Sequence, residues 1–172
     1  HNPLVVVSKF LRTKIEKLLH SHNINYALFD DFDANPKYEE VENALKLFKD
    51  NNCDSIVSLG GGSAIDVAKC VKLFSAMDET KNYLTQEHKY INLKHIAIPT
   101  TAGTGSESTH FAVIYFEGKK QSVHDDIILP DIAILDYHLL LSLLLYQKKS
   151  TLLDALCQAI ESIWSVNSTL QS

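Results

Sequence analysis

Short runs of β-branched and aromatic residues alternate with segments of helical periodicity along most of the sequence. Apolar runs predict strands over residues 4–8, 25–30, 54–60, 95–100, 110–117 and 130–136. The 3.6-residue spacing of apolar side chains predicts helices over about 11–22, after Asn35-Pro36, and over 64–76. Strands that alternate with helices form a parallel sheet with both faces covered. The sequence therefore predicts an α/β fold.

The pattern changes near residue 136, where the predicted strands stop and only helical segments follow. We predict an α/β domain over 1–140 and, over 141–172, the beginning of a C-terminal all-helical domain. The segment 152–166 is apolar nearly all round, which is typical of a buried helix. Because about 25 residues of helix cannot form a core of their own, we expect the second domain to be incomplete. The chain opens on His1 and almost at once enters a strand, so we also expect a fragment without its natural start.

Composition narrows the class of protein. The hydrophobic content of 45% and charged content of 22% are those of a globular protein, and the net charge of −5 disfavours nucleic acid as a partner. The longest apolar run, 138–146, is far shorter than the ~20 residues that span a bilayer, so we expect no membrane partner. Three widely spaced cysteines, Cys53, Cys70 and Cys157, form neither a disulfide framework nor a zinc pattern. They predict small core residues in a reducing, cytoplasmic protein.

Three consecutive glycines at 60–62 join a predicted strand to a predicted helix. Main-chain amides without a neighbouring Cβ can approach phosphate oxygens closely, and a helix N-terminus adds about half a positive charge. Ser63 can cap the helix or donate to a phosphate. Asp66 can favour the helix dipole or contact a ligand, and we expect Lys69 to lie along the helix surface. The spacing matches neither GxGxxG nor a P-loop, so a plain strand-to-helix turn stays open as an alternative.

A second loop, "IPTTAGTGSES" over 98–108, follows another predicted strand. It carries five hydroxyl side chains, Thr100, Thr101, Thr104, Ser106 and Ser108, interleaved with Gly103 and Gly105. Open α/β sheets bind ligands at the carboxyl ends of their strands, and hydroxyls suit ribose and phosphate groups. By itself the loop is also compatible with a flexible surface segment. Two such loops at strand ends predict a shared crevice for a phosphate-bearing cofactor, as in a Rossmann-like nucleotide-binding domain.

The stretches "GGGSAIDVAK", "IPTTAGTGSE", "PDIAILD" and "DALCQAIES" occur in an order that resembles the iron-containing (group III) alcohol dehydrogenase family, over about 31–169. The resemblance implies an α/β domain and an all-helical domain, with NAD or NADP and a divalent metal between them. It implies reversible hydride transfer between the nicotinamide and a small alcohol or aldehyde. We also expect a homo-oligomer, a dimer. The resemblance implies that the pyrophosphate of the cofactor is bound by Gly60, Gly61, Gly62 and Ser63. It places Asp66 beside the nicotinamide end, and it places along the adenosine and ribose side Thr100, Thr101 and Thr104.

The metal motif of the family, Asp-Ala-Leu-x-His, places two ligands one helical turn apart on the same face. Here Asp154 keeps the first position, but Gln158 stands in place of the histidine. Glutamine can ligate Fe²⁺, Zn²⁺ or another divalent ion through its carbonyl oxygen, more weakly than imidazole. Two further histidines of the family pattern are expected beyond Ser172. Either Gln158 is an altered ligand or hydrogen-bonding group in a site that the missing half completes, or Asp154 is a buried or capping carboxylate and metal binding has been lost.

Cofactor choice and reaction leave several alternatives. Ser8 and Lys9 follow the first strand, where an acidic residue would reject a 2′-phosphate, so they favour NADP over NAD unless Lys9 is simply solvated. An oxidoreductase is the leading prediction. A catalytically silent nucleotide-binding or interaction module without a complete metal site is the alternative. A dehydroquinate synthase-like lyase fits less well, since that family lacks this form of "PTTAGTGSE". The run 154–168 also suggests a subfamily that acts on phosphonate-linked aldehydes such as phosphonoacetaldehyde.

Overall fold

A computed structural model describes residues 1–141, 143–166 and 168–169. The strands are β1 (Pro3–Val7), β2 (Ala27–Phe29), β3 (Ser55–Gly60), β4 (Lys94–Pro99), β5 (Phe111–Phe116), β6 (Lys119–His124) and β7 (Ile132–Ala133). The helices are α1 (Arg12–Ser21), α2 (Tyr38–Asp50), α3 (Gly62–Phe74), α4 (His138–Leu141) and α5 (Leu145–Trp164). Short 3₁₀ turns lie at Lys9–Leu11, Tyr83–Thr85, Ser106–Ser108 and Asp126–Ile128.

Five of the strands form one parallel sheet in the order β2-β1-β3-β4-β7. This arrangement confirms the predicted α/β, Rossmann-like fold. The register pairs Leu59 with Ile98 and Gly60 with Pro99, so β3 and β4 end side by side. The loop with the three glycines (60–62, the glycine loop) and the loop with the five hydroxyl side chains (100–108, the hydroxyl loop) therefore begin at the same edge of the sheet.

Helices cover the two faces of the sheet unequally. The larger core lies on the α2 and α3 side, where α2 contributes Val41, Leu45 and Phe48 from one face. Burial of each such side chain stabilises the fold by about 1.5–3 kcal/mol. At the start of α2, the carboxylate of Glu40 accepts the main-chain N–H of Lys37 at 2.8 Å and closes the first turn. Helix α1 covers a smaller cluster on the opposite face, built around Val5 and Val7 of β1 and Leu59 of β3.

An antiparallel hairpin, β5 and β6, packs beside the sheet against α3. Its turn has Glu117 at φ 50° and Gly118 at φ 73°, the left-handed backbone that a tight hairpin with right-handed strand twist needs. The inward side chains Ala112 and Ile114 are fully buried with α3. The hairpin thus covers the part of α3 that the sheet leaves open.

The structure corrects four details of the sequence predictions. In the predicted strand over 130–136, only Ile132 and Ala133 pair with β4. Cys157 is exposed, whereas Cys53 and Cys70 are buried as expected. Lys69, expected along the helix surface, is fully buried because α3 is enclosed by the sheet, α2 and the hairpin. Helix α5 contains no buried residue, since the described chain leaves most of its apolar side chains exposed.

Within the described residues, no helix combines the length and the apolar character needed to cross a membrane.

Candidate cofactor site

A cavity of about 380 Å³ lies at the carboxyl edge of the sheet, between the ends of β1, β3 and β4. Six residues of the predicted cofactor set line it: Ser8, Gly61, Gly62, Ser63, Thr100 and Thr101. The remaining walls come from Lys9, Phe10, Phe32, Asp33, Ala34, Ala64, Leu143 and Gln147. Gly60, Asp66 and Thr104 do not line this cavity. The fold therefore brings together residues that are far apart in the sequence, from Ser8 to Gln147.

The glycines serve different purposes. A Cβ at Gly60 would overlap the hydroxyl of Ser8 and the side chain of Ala64, so this glycine allows β1, β3 and α3 to pack closely. A Cβ at Gly61 would lie 3.3 Å from Oγ1 of Thr101, in the gap between the two loops. The bare backbone at Gly61 thus keeps the cavity open, which fits the approach of a phosphate to main-chain amides.

Helix α3 points its N-terminus at the cavity. Gly61 is the N-cap, and its carbonyl accepts the N–H of Ala64 at 3.1 Å. The N–H groups of Gly62 and Ser63 start the helix and have no carbonyl one turn back to bond, so they can donate to an anion. Of the two roles predicted for Ser63, capping is wrong, because Gly61 is the N-cap and the Ser63 hydroxyl accepts the main-chain N–H of Asn35 at 3.4 Å. Donation to a phosphate stays a prediction.

The hydroxyl loop is fastened to the glycine loop by its backbone. The N–H of Thr100 donates to the carbonyl of Gly60 at 2.8 Å. Thr100 is buried, and among the described residues its hydroxyl has no hydrogen-bond partner. A buried hydroxyl without a partner costs about 1–3 kcal/mol. Because Thr100 also lines the cavity, it fits a ligand that brings a ribose hydroxyl or a phosphate oxygen.

Charges at the end of β2 change the prediction of cofactor type. Lys9 pairs with Asp31 at 3.4 Å and Lys37 with Asp33 at 3.1 Å, so the cations near this wall already face carboxylates. Lys9 is also largely exposed, with 62% of its side chain accessible. Asp33 lines the cavity itself and repels a 2′-phosphate. The local charges therefore favour NAD, against the indication of NADP from Ser8 and Lys9.

Asp66 and Lys69 lie beneath the loops rather than in the cavity. The carboxylate of Asp66 accepts the hydroxyl of Ser106 at 2.9 Å and the N–H of Val113 at 3.2 Å. Lys69 donates to Ser106, Thr109 and the carbonyl of Phe111. Burial raises the pKa of Asp66 and lowers the pKa of Lys69 to about 8. The sequence signal for Lys69 was a lysine three residues after Asp66, flanked on both sides by apolar residues of the helix.

A second polar cluster lies near the amino ends of the strands, away from the cavity. His95 of β4 is fully buried, with Nε2 2.8 Å from the hydroxyl of Ser58. Lys72 of α3 donates to Asp131 at 2.9 Å, and the second oxygen of Asp131 accepts Lys94 at 2.9 Å. Burial lowers the pKa of His95 to about 3, so the ring is neutral near pH 7. This cluster joins α3, β4 and the start of β7.

The predicted metal pair lies on α5. The side-chain amide of Gln158 donates to Oδ2 of Asp154 at 3.0 Å, and both side chains are exposed. Among the described residues, no group of three or more His, Cys, Asp or Glu could hold a metal ion. A donor amide facing the carboxylate is a hydrogen bond, not a ligand arrangement. The residues present therefore do not fit a metal by themselves.

The parallel sheet with glycine and hydroxyl loops at its carboxyl edge defines a Rossmann-like α/β domain. The model of the family described as iron-containing alcohol dehydrogenase matches residues 1–137. The chain belongs to this family.

Similar proteins agree with this assignment. The chain is 35% identical to alcohol dehydrogenase 4 of Saccharomyces cerevisiae, over 92% of the chain and 42% of that protein. It is 33% identical to the NAD-dependent methanol dehydrogenase of Bacillus methanolicus, over 92% of the chain and 44% of that protein. It also matches the crystal structure of sulfoacetaldehyde reductase from Bifidobacterium kashiwanohense in complex with NAD⁺, with a TM-score of 0.88 and 33% identity, over 96% of the chain and 46% of that structure. The chain thus spans less than half the length of these relatives.

Proposed function

We propose that this chain is the cofactor-binding part of an oxidoreductase that transfers hydride between a nicotinamide cofactor and an aldehyde or alcohol. The observation that carries the proposal is the cavity at the sheet edge, with the N-terminus of α3 on one side and the hydroxyl loop on the other. Within it, residues 1–140 form the NAD(P)-binding domain and 141–172 begin the helical, metal-binding domain.

The residues around the cavity have separate roles in this proposal. The N–H groups of Gly62 and Ser63 bind the pyrophosphate, because both residues line the cavity and lie in the first turn of α3. The hydroxyls of Thr100 and Thr101 bind sugar or phosphate oxygens from the facing wall, and Ser8 closes the end at β1. The nicotinamide, when bound, supplies the hydride. The chain's own residues hold the cofactor in one orientation and shield it from water.

NAD is the proposed cofactor, ahead of NADP. Asp33 lines the cavity, and Lys9 and Lys37 are each already paired with a carboxylate, so neither lysine is left as an unpaired cation to bind a 2′-phosphate. The names of two relatives support this choice: one is an NAD-dependent dehydrogenase, and one reductase structure contains NAD⁺.

The proposed substrate is a small alcohol or aldehyde. Relatives are named for methanol and for sulfoacetaldehyde, and the latter carries an acid group, as a phosphonate-linked aldehyde does. A homodimer and a cytoplasmic location complete the proposal, the latter on the grounds of unpaired Cys53 and Cys70 in the core. None of the comparisons favours the alternative of a catalytically silent module.

Calorimetric titration of the chain with NAD and NADP tests the cofactor site. We expect NAD to bind and Gly61→Val to weaken that binding by about tenfold or more, because the added side chain enters the gap beside Thr101. Gly118→Val is the control for general destabilisation, since it adds the same side chain in the hairpin turn, where φ 73° strains the backbone but nothing lies within 4 Å. Wild-type chain that binds neither cofactor at millimolar concentration would contradict the proposal.

A further inference from the structure

We propose that Asp66, Lys69 and Ser106 form a buried clamp that holds the hydroxyl loop against helix α3 and thereby positions the groups that bind the cofactor. The three are positioning residues, since none of them lines the cavity. The expected effect on cofactor affinity rests on the proposed function. That the clamp fixes the hydroxyl loop, the mechanical part of the inference, is independent of the proposed function.

The clamp is a closed set of hydrogen bonds between a helix and a loop. Asp66 and Lys69 lie three residues apart on α3, so their side chains share one face of the helix. The hydroxyl of Ser106 donates to Oδ1 of Asp66 at 2.9 Å and accepts from Nζ of Lys69 at 3.3 Å. One hydroxyl thus bridges a carboxylate and an ammonium, and it is the only link of this kind among the described residues of the loop.

Burial makes the position of the loop costly to change. The Lys69 side chain has no exposed surface, and its ammonium has three N–H groups to satisfy. It donates to Ser106, to Oγ1 of Thr109 at 3.2 Å and to the carbonyl of Phe111 at 2.7 Å. All three acceptors belong to the segment that leads from the hydroxyl loop into β5. Movement of this segment would leave a buried charge without partners, which the fold resists.

A short path connects the clamp to the cavity. The N–H of Ser106 donates to Oγ1 of Thr104 at 3.3 Å. A Cβ at Gly62 would lie 3.5 Å from the methyl group of Thr104, so Thr104 packs directly over the first residue of α3. The position of Ser106 therefore determines how Thr104 packs on Gly62, which lines the cavity.

The clamp differs from the direct role that the family resemblance implies for Asp66. Both carboxylate oxygens of Asp66 are already engaged, one by Ser106 and one by the N–H of Val113 at 3.2 Å. A carboxylate held in this way orients the loop and the hairpin. In this inference, Asp66 affects the cofactor only through the residues that it holds.

Three variants of the full chain test the inference. Lys69→Met removes the ammonium and keeps the shape of the side chain, and Ser106→Ala removes the bridging hydroxyl. Lys72→Met is the matched control, because Lys72 lies on the same helix, is 4% exposed and bonds Asp131 and Leu129 instead of the loop. We expect the first two variants to weaken NAD binding by about tenfold, and Lys72→Met to change it by less than about twofold.

Hydrogen exchange of the cofactor-free chain isolates the mechanical part. Main-chain amides over 100–108 should exchange faster in Lys69→Met and Ser106→Ala than in the wild type, and at the wild-type rate in Lys72→Met. Unchanged exchange in that segment would overturn the clamp, whatever the cofactor does. If the wild type fails to bind NAD, the proposed function fails, and the exchange measurement alone decides the inference. If Lys69→Met does not fold, Ser106→Ala decides.

The pH dependence of NAD affinity provides a readout that simple destabilisation would not change. The charged and titratable groups that face Lys69 are Asp66 and Cys70 on α3, Glu107 on the turn at 106–108 and His95 on β4. Because the pKa of Lys69 is about 8, the amine loses one of its three donors as the pH rises from 7 to 9. Affinity should fall over that range in the wild type and stay level in Lys69→Met. If NAD affinity falls between pH 7 and pH 9 in Lys69→Met as it does in the wild type, the result counts against the clamp.

Discussion

Helix α3 buries two lysines, and their surroundings differ. Lys69 lies towards the loops and is bonded to two hydroxyls and a carbonyl of one irregular segment. Lys72 lies towards the amino ends of the strands and forms an ion pair with Asp131 at 2.9 Å. Both side chains are almost fully buried. The same residue type, three positions apart, thus joins α3 to the candidate site at one end and to the sheet at the other.

The different partners of the two lysines indicate different roles: Lys72 stabilises the fold, and Lys69 positions the candidate site. Hydrogen bonds from Lys94 and Lys72 hold the pKa of Asp131 well below its ordinary range, although burial opposes them. The Lys72 end is therefore an ion pair between α3 and the residue that precedes β7. The Lys69 end has mostly neutral partners, so its bonds depend on where the loop lies. We expect changes at the Lys72 end to affect folding and changes at the Lys69 end to affect the cofactor.

The largest expected effect comes from Asp131→Ala. This change leaves the Lys72 ammonium buried and unpaired, and it should lower the free energy of unfolding by about 3 kcal/mol, measured by urea denaturation. Lys94→Ala removes the exposed partner of the same carboxylate and should cost much less, because solvent screens that pair. Equal losses in the two variants, or a loss of NAD affinity in Asp131→Ala, would break the comparison.

Gly103→Ala should disturb the hydroxyl loop more than the polar cluster around Lys72 at the other end of α3. Gly103 has φ 137°, and a Cβ there would overlap the carbonyl oxygen of Thr151 on α5. We expect the free energy of unfolding to fall by about 2 kcal/mol and NAD affinity to fall with it, because the hydroxyl loop must shift. Gly118→Ala, at φ 73° with open space around it, should cost only about 1 kcal/mol and leave affinity unchanged.

Because of His95, the free energy of unfolding should depend on pH in the acid range. Its pKa is about 3 in the folded protein and near 6.5 in an unfolded chain, so only the unfolded state takes up a proton between these values. The free energy of unfolding therefore keeps the full contribution of neutral His95 above pH 6.5. It falls as the pH drops towards 3, by about 2 kcal/mol at pH 5. Urea denaturation of wild type and His95→Gln at pH 8 and pH 5 measures this. An equal pH-dependent loss in both proteins would exclude His95 as the cause.

The smallest expected effect concerns the choice of cofactor. Asp33→Asn removes the negative charge that lines the cavity and should raise affinity for NADP relative to NAD by about threefold, since the charge is exposed and screened. Asp50→Asn, at the distant end of α2, is the control. A ratio of affinities that does not move in Asp33→Asn would show that the wall at β2 does not select the cofactor.

The order of strands and helices was accessible from sequence because burial patterns repeat every two or 3.6 residues along the chain. The two loops were found for a similar reason, since runs of glycine and threonine after an apolar strand are local features. The ordered motifs also led to the family, which the comparison over residues 1–137 shows. The roles of all nine residues at the cofactor stay predictions, as does the metal role of Asp154 and Gln158; the nine are Ser8, Gly60, Gly61, Gly62, Ser63, Asp66, Thr100, Thr101 and Thr104.

The amino-acid sequence alone determined an α/β chain with two loops suited to phosphate and ribose, since these depend on residues that are neighbours in the chain. Only the tertiary structure decided that Gly60 and Pro99 lie side by side, that Lys9 is paired with Asp31, and that Lys69 is buried. Each of these depends on contacts between residues more than 20 positions apart, or on how many neighbours enclose one helix. No local periodicity encodes such contacts, because they are set by the register of the sheet and the packing of α3 against the hairpin.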